Sequence, residues 1–314
     1  MTTPSNPVTE SLDSPVSAPA AMAHTRPLFW SVRRELWESR SIYLAPLAVA
    51  AVYLLGFLIS LFWLPRSLRT VATNHSMPPL IELAMPYSHA AMLLMATGLV
   101  VGFFYSLEAL YSERRERTIL FWKSLPVSDL TTVLSKALIP LAVLPLVVFA
   151  ITVALQLIMR LVSLVALLVT GRDAAAAWTR LPLFQMELGL LYSMIVLALW
   201  HAPIYGWLLL VSGWARRGAF LWAVLPPLAI AAVETIAFRT SYVGILLRDR
   251  LIGFAASAFD LKDAAGVPID AHFIPLAQLA PGRFLSSPSL WVGLIVAAAL
   301  LAAAVRLRRY REPL

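Results

Sequence analysis

Long apolar runs separated by short polar segments dominate the chain, and the longest runs have the length of membrane spans. A hydrocarbon core about 30 Å thick takes roughly 20 helical residues. Ser41–Leu64 meets that length without a charge, and Tyr87–Leu107 stops at Glu108. Ala137–Met159 ends at Arg160 and is followed by an apolar extension, Leu161–Thr170. Leu188–Val211 and Ala219–Phe238 come next. Leu290–Val305 has only 16 clean residues, so the last span starts upstream near Phe284 or lets Arg306 and Arg308 snorkel. The pattern predicts an all-α membrane protein with six transmembrane helices, at about 41–64, 87–107, 137–159, 188–211, 219–238 and 286–305.

The polar segments carry the remaining organisation. Residues 1–27 are rich in Ser, Thr, Pro and Ala, with no basic start and no apolar run, so they read as a disordered cytoplasmic tail and not as a signal peptide. Residues 28–314 then form one transmembrane domain. In Leu28–Arg40, Phe29, Val32 and Leu36, joined by Trp30 and Trp37, fall on one side at helical spacing. Arg33, Arg34, Glu35 and Glu38 fall largely on the other, as expected of an amphipathic helix lying in the interface with its tryptophans at headgroup depth. The 239–289 segment is too long for a plain connection. Its first half predicts short external helices at the outer leaflet, and its second half, with Gly266, Pro268, Pro275 and Pro281-Gly282, reads as irregular loop.

Composition sharpens this picture. Sixty per cent of the residues are apolar and 13% charged, against roughly 45–50% and about 25% in soluble proteins. That excludes an ordinary soluble enzyme, a disordered chain and a nucleic-acid-binding domain. The net charge of +8 reads instead as topology. Fifteen of the 25 basic residues fall in the N-terminal segment, the 112–136 loop, the 212–218 loop and the C-terminus. The opposite side carries ten over longer loops, which places both termini in the cytoplasm. There is no cysteine, and the five histidines are scattered without metal-ligand spacing, so no metal site is expected.

The loop between spans two and three is the most informative segment. A charge cluster, Glu113 to Arg117, precedes the apolar run Ile119-Leu-Phe-Trp122, which is too short to span. Pro126 ends that helix, and Ser128 or Asp129 can cap the next one. A short helix exposing aliphatic and aromatic residues either docks into a partner or lies back on the lipid. Glu116-Arg-Thr118, Leu125-Pro-Val-Ser128 and Lys136, at these distances and in this loop, resemble the permeases of ABC-2-type ATP-binding-cassette exporters. The six-span plan, the amphipathic helix before span one and the long external segment before span six extend the resemblance over about residues 28–310. One departure is Arg117, where many members carry glycine.

The resemblance implies a transmembrane subunit, not itself an enzyme, in a bacterial cytoplasmic (inner) membrane. It implies pairing with a second permease subunit, the same or a homologous chain, and with two copies of a separate ATPase subunit. It also implies that Glu116, Arg117, Thr118, Leu120, Phe121, Trp122, Lys123, Leu125 and Pro126 form the coupling helix that meets the ATPase. No G-x-x-x-x-G-K-[ST] phosphate loop occurs, so ATP and Mg are expected on that partner and no cofactor on this chain.

Three polar residues fall within apolar runs: Gln156, His201 and Glu234. Ionisable groups in hydrocarbon cost at least ~2.5–3.5 kcal/mol, so each faces a partner or a wet cavity. They either line a translocation path, or make interhelical hydrogen bonds or lie near the interface. The competing functions are an intramembrane enzyme acting on lipid or peptide, or a secondary transporter. The first lacks a convergent set of catalytic residues, and the second lacks repeats and charges paired between corresponding spans. The apolar spans lean towards a lipid-like, peptide or other amphipathic cargo.

Overall fold

The structure is a computed structural model that describes residues 27–71, 79–116, 128–169, 183–260 and 278–310. Among these residues about 91% are helical and there is no strand. The chain enters through α1 (Pro27–Glu38) and turns at Ser39-Arg40 into α2 (Ser41–Val71). It returns through α3 (Pro79–Glu108), which ends in the short α4 (Tyr111–Arg115). Beyond the 117–127 segment, α5 (Asp129–Leu138) runs through a widened π turn (Ile139–Val143) into α6 (Leu144–Val169). Pro140 lies in that turn and Pro145 just after it, and a missing N–H with a ring against the preceding turn is a common cause of such widening. Next come α7 (Leu183–Trp214) and α8 (Ala219–Phe238), then the surface helices α9 (Tyr242–Ile252) and α10 (Phe254–Ala258). The short α11 (Pro281–Ser286) leads into α12 (Pro288–Tyr310).

Six of these stretches are long and apolar enough to cross a membrane: Ser41–Leu61, Ala84–Arg115, Asp129–Ala166, Phe184–Trp214, Ala219–Phe238 and Pro288–Tyr310. They match the six expected spans, with adjustments at their ends. The last span does not begin at Phe284 or Ser286. Ser287 is extended between α11 and α12, because Pro288 disfavours helical geometry in the residue before it. Pro281-Gly282, read above as irregular loop, opens α11, where proline's missing N–H costs nothing at the first helical turn. The 261–277 part of the same segment lies outside the described residues.

The helix α7 is the axis of the bundle, packing against α3, α6, α8, α9 and α12. Within its most apolar stretch 61% of the residues are buried, against 11% in α8 and 17% in α2. Trp200, Leu208 and Leu209 are among its fully buried side chains. The helix α12 packs along it, with Gly206 against Ala297 and Leu300; a Cβ there would lie 3.3 Å from the Ala297 carbonyl oxygen. Exposed Leu, Ile, Val, Phe and Trp side chains cover the outer faces of α2, α6 and α8, a surface suited to lipid and not to water.

Prolines inside the spans are accommodated. Pro227 cannot donate to the Ala223 carbonyl, and the indole of Trp207 donates to that oxygen instead, at 3.0 Å. The α8–α9 turn, with Arg239 left-handed at φ 51°, is fastened by Glu234. Its carboxylate accepts from Thr240 Oγ1 at 2.9 Å and from the first two amides of α9, Tyr242 N and Val243 N, both at 2.8 Å. Arg250 of α9 then pins the surface helix to the bundle. Its guanidinium lies 4.8 Å from the Trp200 ring, rests against Gly293 and donates to the Ser289 carbonyl.

Candidate functional site: a buried charge cluster at the base of the bundle

The end of the bundle that holds α1 and the last turn of α12 contains a group of charges with almost no access to solvent. Lys136 of α5 sits at its centre, with Nζ 2.7 Å from Glu35 Oε1 on α1 and 3.1 Å from Glu113 Oε1 on α4. Arg308 of α12 places one terminal nitrogen 2.5 Å from Glu113 Oε2 and its Nε 3.1 Å from Asp129 Oδ1 at the start of α5. Tyr105 of α3 donates to the second Glu35 oxygen at 2.8 Å. The side chains of Lys136, Glu35, Glu113 and Arg308 are each exposed by 5% or less, and only Asp129 reaches out to 29%.

The sequence places each of these groups on a buried stripe. Lys136 follows Val133 by three residues, and both are buried on the same face of α5. Arg308 follows the buried Ala304 by four. Glu35 lies between Val32 and Leu36, which pack on the core. Four helices, α1, α4, α5 and α12, are thereby joined by oppositely charged pairs, each a carboxylate facing an ammonium or guanidinium, and the Tyr105 hydroxyl ties in α3. Taking these groups out of water is costly, and close pairing with further hydrogen bonds offsets that cost.

The same end is reinforced through backbone groups. Arg114 donates from one terminal nitrogen to the Gly213 carbonyl at 2.7 Å and to that of Ala215 at 3.3 Å, capping the C-terminus of α7 with a cation. Ser212 Oγ accepts from Leu110 N at 3.0 Å and Tyr111 N at 2.9 Å, holding the start of α4. Ser128 is the N-cap of α5, its hydroxyl accepting from Thr131 N at 3.1 Å. Of the two caps open in the sequence, serine therefore serves, which frees Asp129 for Arg308. Glu113, before the 117–127 segment, and Asp129 and Lys136, after it, thus belong to one ionic cluster.

Several expectations are altered here. Glu35 does not share a polar outer face with Arg33; it turns into the bundle, because α5 offers Lys136 at that point. Arg33 shares the exposed face with Trp30 and Trp37, lying 5.3 and 4.9 Å from their rings, and Phe29 is exposed alongside. Arg34, half-buried, pairs with Glu38 at 3.1 Å. Arg308 does not snorkel, since its partners lie inward, while Arg306 is exposed. Of the expected coupling residues, Glu116 closes α4 and is exposed, its carboxylate 3.6 Å from Arg115. Arg117, Thr118, Leu120, Phe121, Trp122, Lys123, Leu125 and Pro126 lie outside the described residues.

Gln156, His201 and Glu234 occupy three different contacts. Gln156 Nε2 donates to the Tyr87 carbonyl at 3.1 Å, between α6 and α3. His201 Nδ1 is 2.9 Å from the Leu197 carbonyl on its own helix, and its ring packs on Phe254 of α10 at 6.0 Å. Glu234 caps α9 as described. Among the described residues no hydrogen bond or ion pair joins any two of them. Nor do the described residues hold any group of three or more His, Cys, Asp or Glu able to bind a metal ion.

The residues of the cluster carry no local motif. From sequence Glu35 and Glu113 were legible as members of charged segments, Asp129 as a possible cap, Arg308 as a possible snorkelling residue, and Lys136 as a loop cation and through the resemblance. The available signal was positional, a lone charge three or four residues from apolar positions of a stripe. Comparison with known proteins gives no match to a family model, a curated protein or a solved structure.

Proposed function

We propose that this chain is the permease subunit of an ATP-driven exporter of the ABC-2 type, in a bacterial inner membrane with both termini cytoplasmic. It pairs with a second permease, the same or a homologous chain, and with two ATPase subunits that bind ATP and Mg. The cargo is a lipid-like, peptide or other amphipathic molecule. The observation that carries this reading is the ion pairing of the described residues on either side of 117–127. The leading flank is tied through Glu113 to Arg308 and Lys136, and the trailing flank through Asp129 and Lys136 to α12 and α1. A push on that segment by a partner is delivered to α1, α7 and α12 through buried, oriented contacts. Loose side chains would dissipate it.

The six apolar helices supply the membrane-crossing body, and the chain's lack of a phosphate loop assigns nucleotide chemistry to the partner. The test is co-purification with a phosphate-loop ATPase subunit from the same cell, followed by reconstitution of the two. Wild-type chain is expected to retain the ATPase and to raise its ATP hydrolysis, and Phe121→Asp with Trp122→Asp to lose both. Unchanged association in the double variant refutes docking at this segment, and hydrolysis indifferent to the chain refutes coupling.

A further inference from the structure

We propose that the Trp30–Arg33–Trp37 face of α1 is a binding seat for the phosphate of an anionic phospholipid. The inference is independent of the transport reading. It starts from charge bookkeeping along one short helix. The carboxylates of α1 are both committed elsewhere: Glu35 is turned inward onto Lys136, and Glu38 is taken by Arg34 at 3.1 Å. Among the described residues no carboxylate lies within ion-pair distance of Arg33. Its guanidinium is exposed and carries an uncompensated charge.

That guanidinium is nevertheless held in place. Trp30, three residues before it, and Trp37, four residues after it, put their rings 5.3 and 4.9 Å from its central carbon. Helical spacing brings all three onto one face. Cation–π contact with two indoles engages the flat guanidinium and limits the conformations open to a long side chain. Among the described residues its N–H donors meet no acceptor. A planar fork of such donors matches two oxygens of a phosphate in a bidentate pair, and fixing it beforehand lowers the ordering cost of binding.

The setting selects the ligand. The opposite side of α1 is already used, with Val32 and Leu36 packed on the core, so the Trp30–Arg33–Trp37 face is the one left over. Only Ser39 and Arg40 separate α1 from the first span, which fixes the helix at the boundary of the hydrocarbon. Trp30, Trp37 and Phe29 are all more than half exposed, and indoles favour headgroup depth. An anion that meets Arg33 there belongs to a lipid headgroup. In a zwitterionic lipid the choline cation competes for its own phosphate, whereas in phosphatidylglycerol the phosphate charge is free to be paired. Preference for the anionic lipid follows from that difference.

The test uses the full-length chain purified in detergent, with bound lipid counted by native mass spectrometry after titration with phosphatidylglycerol or phosphatidylcholine of the same acyl chains. One interfacial cation is expected to favour the anionic lipid by about fivefold. Arg33→Gln should reduce phosphatidylglycerol binding to the phosphatidylcholine level, and Arg33→Lys, which keeps the charge without the fork, should fall between. Trp30→Ala with Trp37→Ala, which keeps the arginine but frees it, should also weaken binding. Arg40→Gln should leave it unchanged. Equal binding of the two lipids by the wild type overturns the proposal, as does full retention in Arg33→Gln or in the double tryptophan variant. An Arg40→Gln loss as large as that of Arg33→Gln reduces the effect to non-specific attraction and overturns it too. Displacement of phosphatidylglycerol by millimolar inorganic phosphate would make this a free-anion site and overturn the headgroup assignment. If the lipids are not discriminated but an acidic partner protein requires Arg33, the face is a protein contact instead.

Discussion

Replacing Lys136 by methionine keeps most of the side-chain volume and removes one charge from the centre of the buried cluster. Two carboxylates lose a partner at once, Glu35 at 2.7 Å and Glu113 at 3.1 Å. They are not left equally exposed to the loss. Among the described residues Glu113 keeps Arg308, whereas Glu35 keeps the hydroxyl of Tyr105 and no cation. Removing one member of a buried ion pair costs about 3–5 kcal/mol, because the remaining charge stays desolvated. At about 2 °C per kcal/mol for a chain of this size, the unfolding midpoint should fall by about 6–10 °C. The native tryptophans, ten in all, report the transition by intrinsic fluorescence in detergent. Neutralising the orphaned acid as well, with Glu35→Leu in the same chain, should recover a large part of the loss, since a well-packed apolar pair often replaces a buried ion pair at little cost. A Lys136→Met midpoint within about 1 °C of wild type, or a double variant no more stable than the single one, would refute the assignment of Lys136 as the centre of the cluster.

Two further changes probe the packing around it. Ser212→Ala leaves the buried Leu110 amide and the half-buried Tyr111 amide without their acceptor and should destabilise by about 1–3 kcal/mol, read as a lower unfolding midpoint and faster amide exchange at the start of α4. Gly206→Val forces β-branched carbon into the α7–α12 contact, where even a Cβ lies 3.3 Å from the Ala297 oxygen; a cost of about 1–3 kcal/mol is expected, while Gly56→Val, at a position with open space, should be near neutral by the same measurement.

What was legible from sequence was whatever depends on neighbours along the chain. Six apolar runs set six spans, since hydrocarbon leaves the backbone no alternative to satisfying its own hydrogen bonds within each segment. Three- and four-residue spacing placed a helix within Leu28–Arg40, found at Pro27–Glu38, and Pro126 with Ser128 marked a new start at α5. The charges behaved differently. Glu35 and Arg33 are two residues apart in one polar stretch, yet one is buried in an ion cluster and the other lies exposed between two indoles. Helical geometry alone puts neither side inward. The decision belongs to α5, whose Lys136 meets α1 across 101 residues of chain, and to α12, whose Arg308 reaches Glu113 across 195.

Glu234 makes the same point in the other direction. From sequence it was an acid inside a span, open to a pathway role or a hydrogen bond. Its position in space is the turn between α8 and α9, where three donors converge on its carboxylate. Composition and periodicity determined that this chain is helical and carries six stretches long and apolar enough to cross a membrane. Which charges face each other, and so which helices they join, was decided only when the helices packed, because an ion pair is a property of distance and desolvation, and neither is written in the order of the residues.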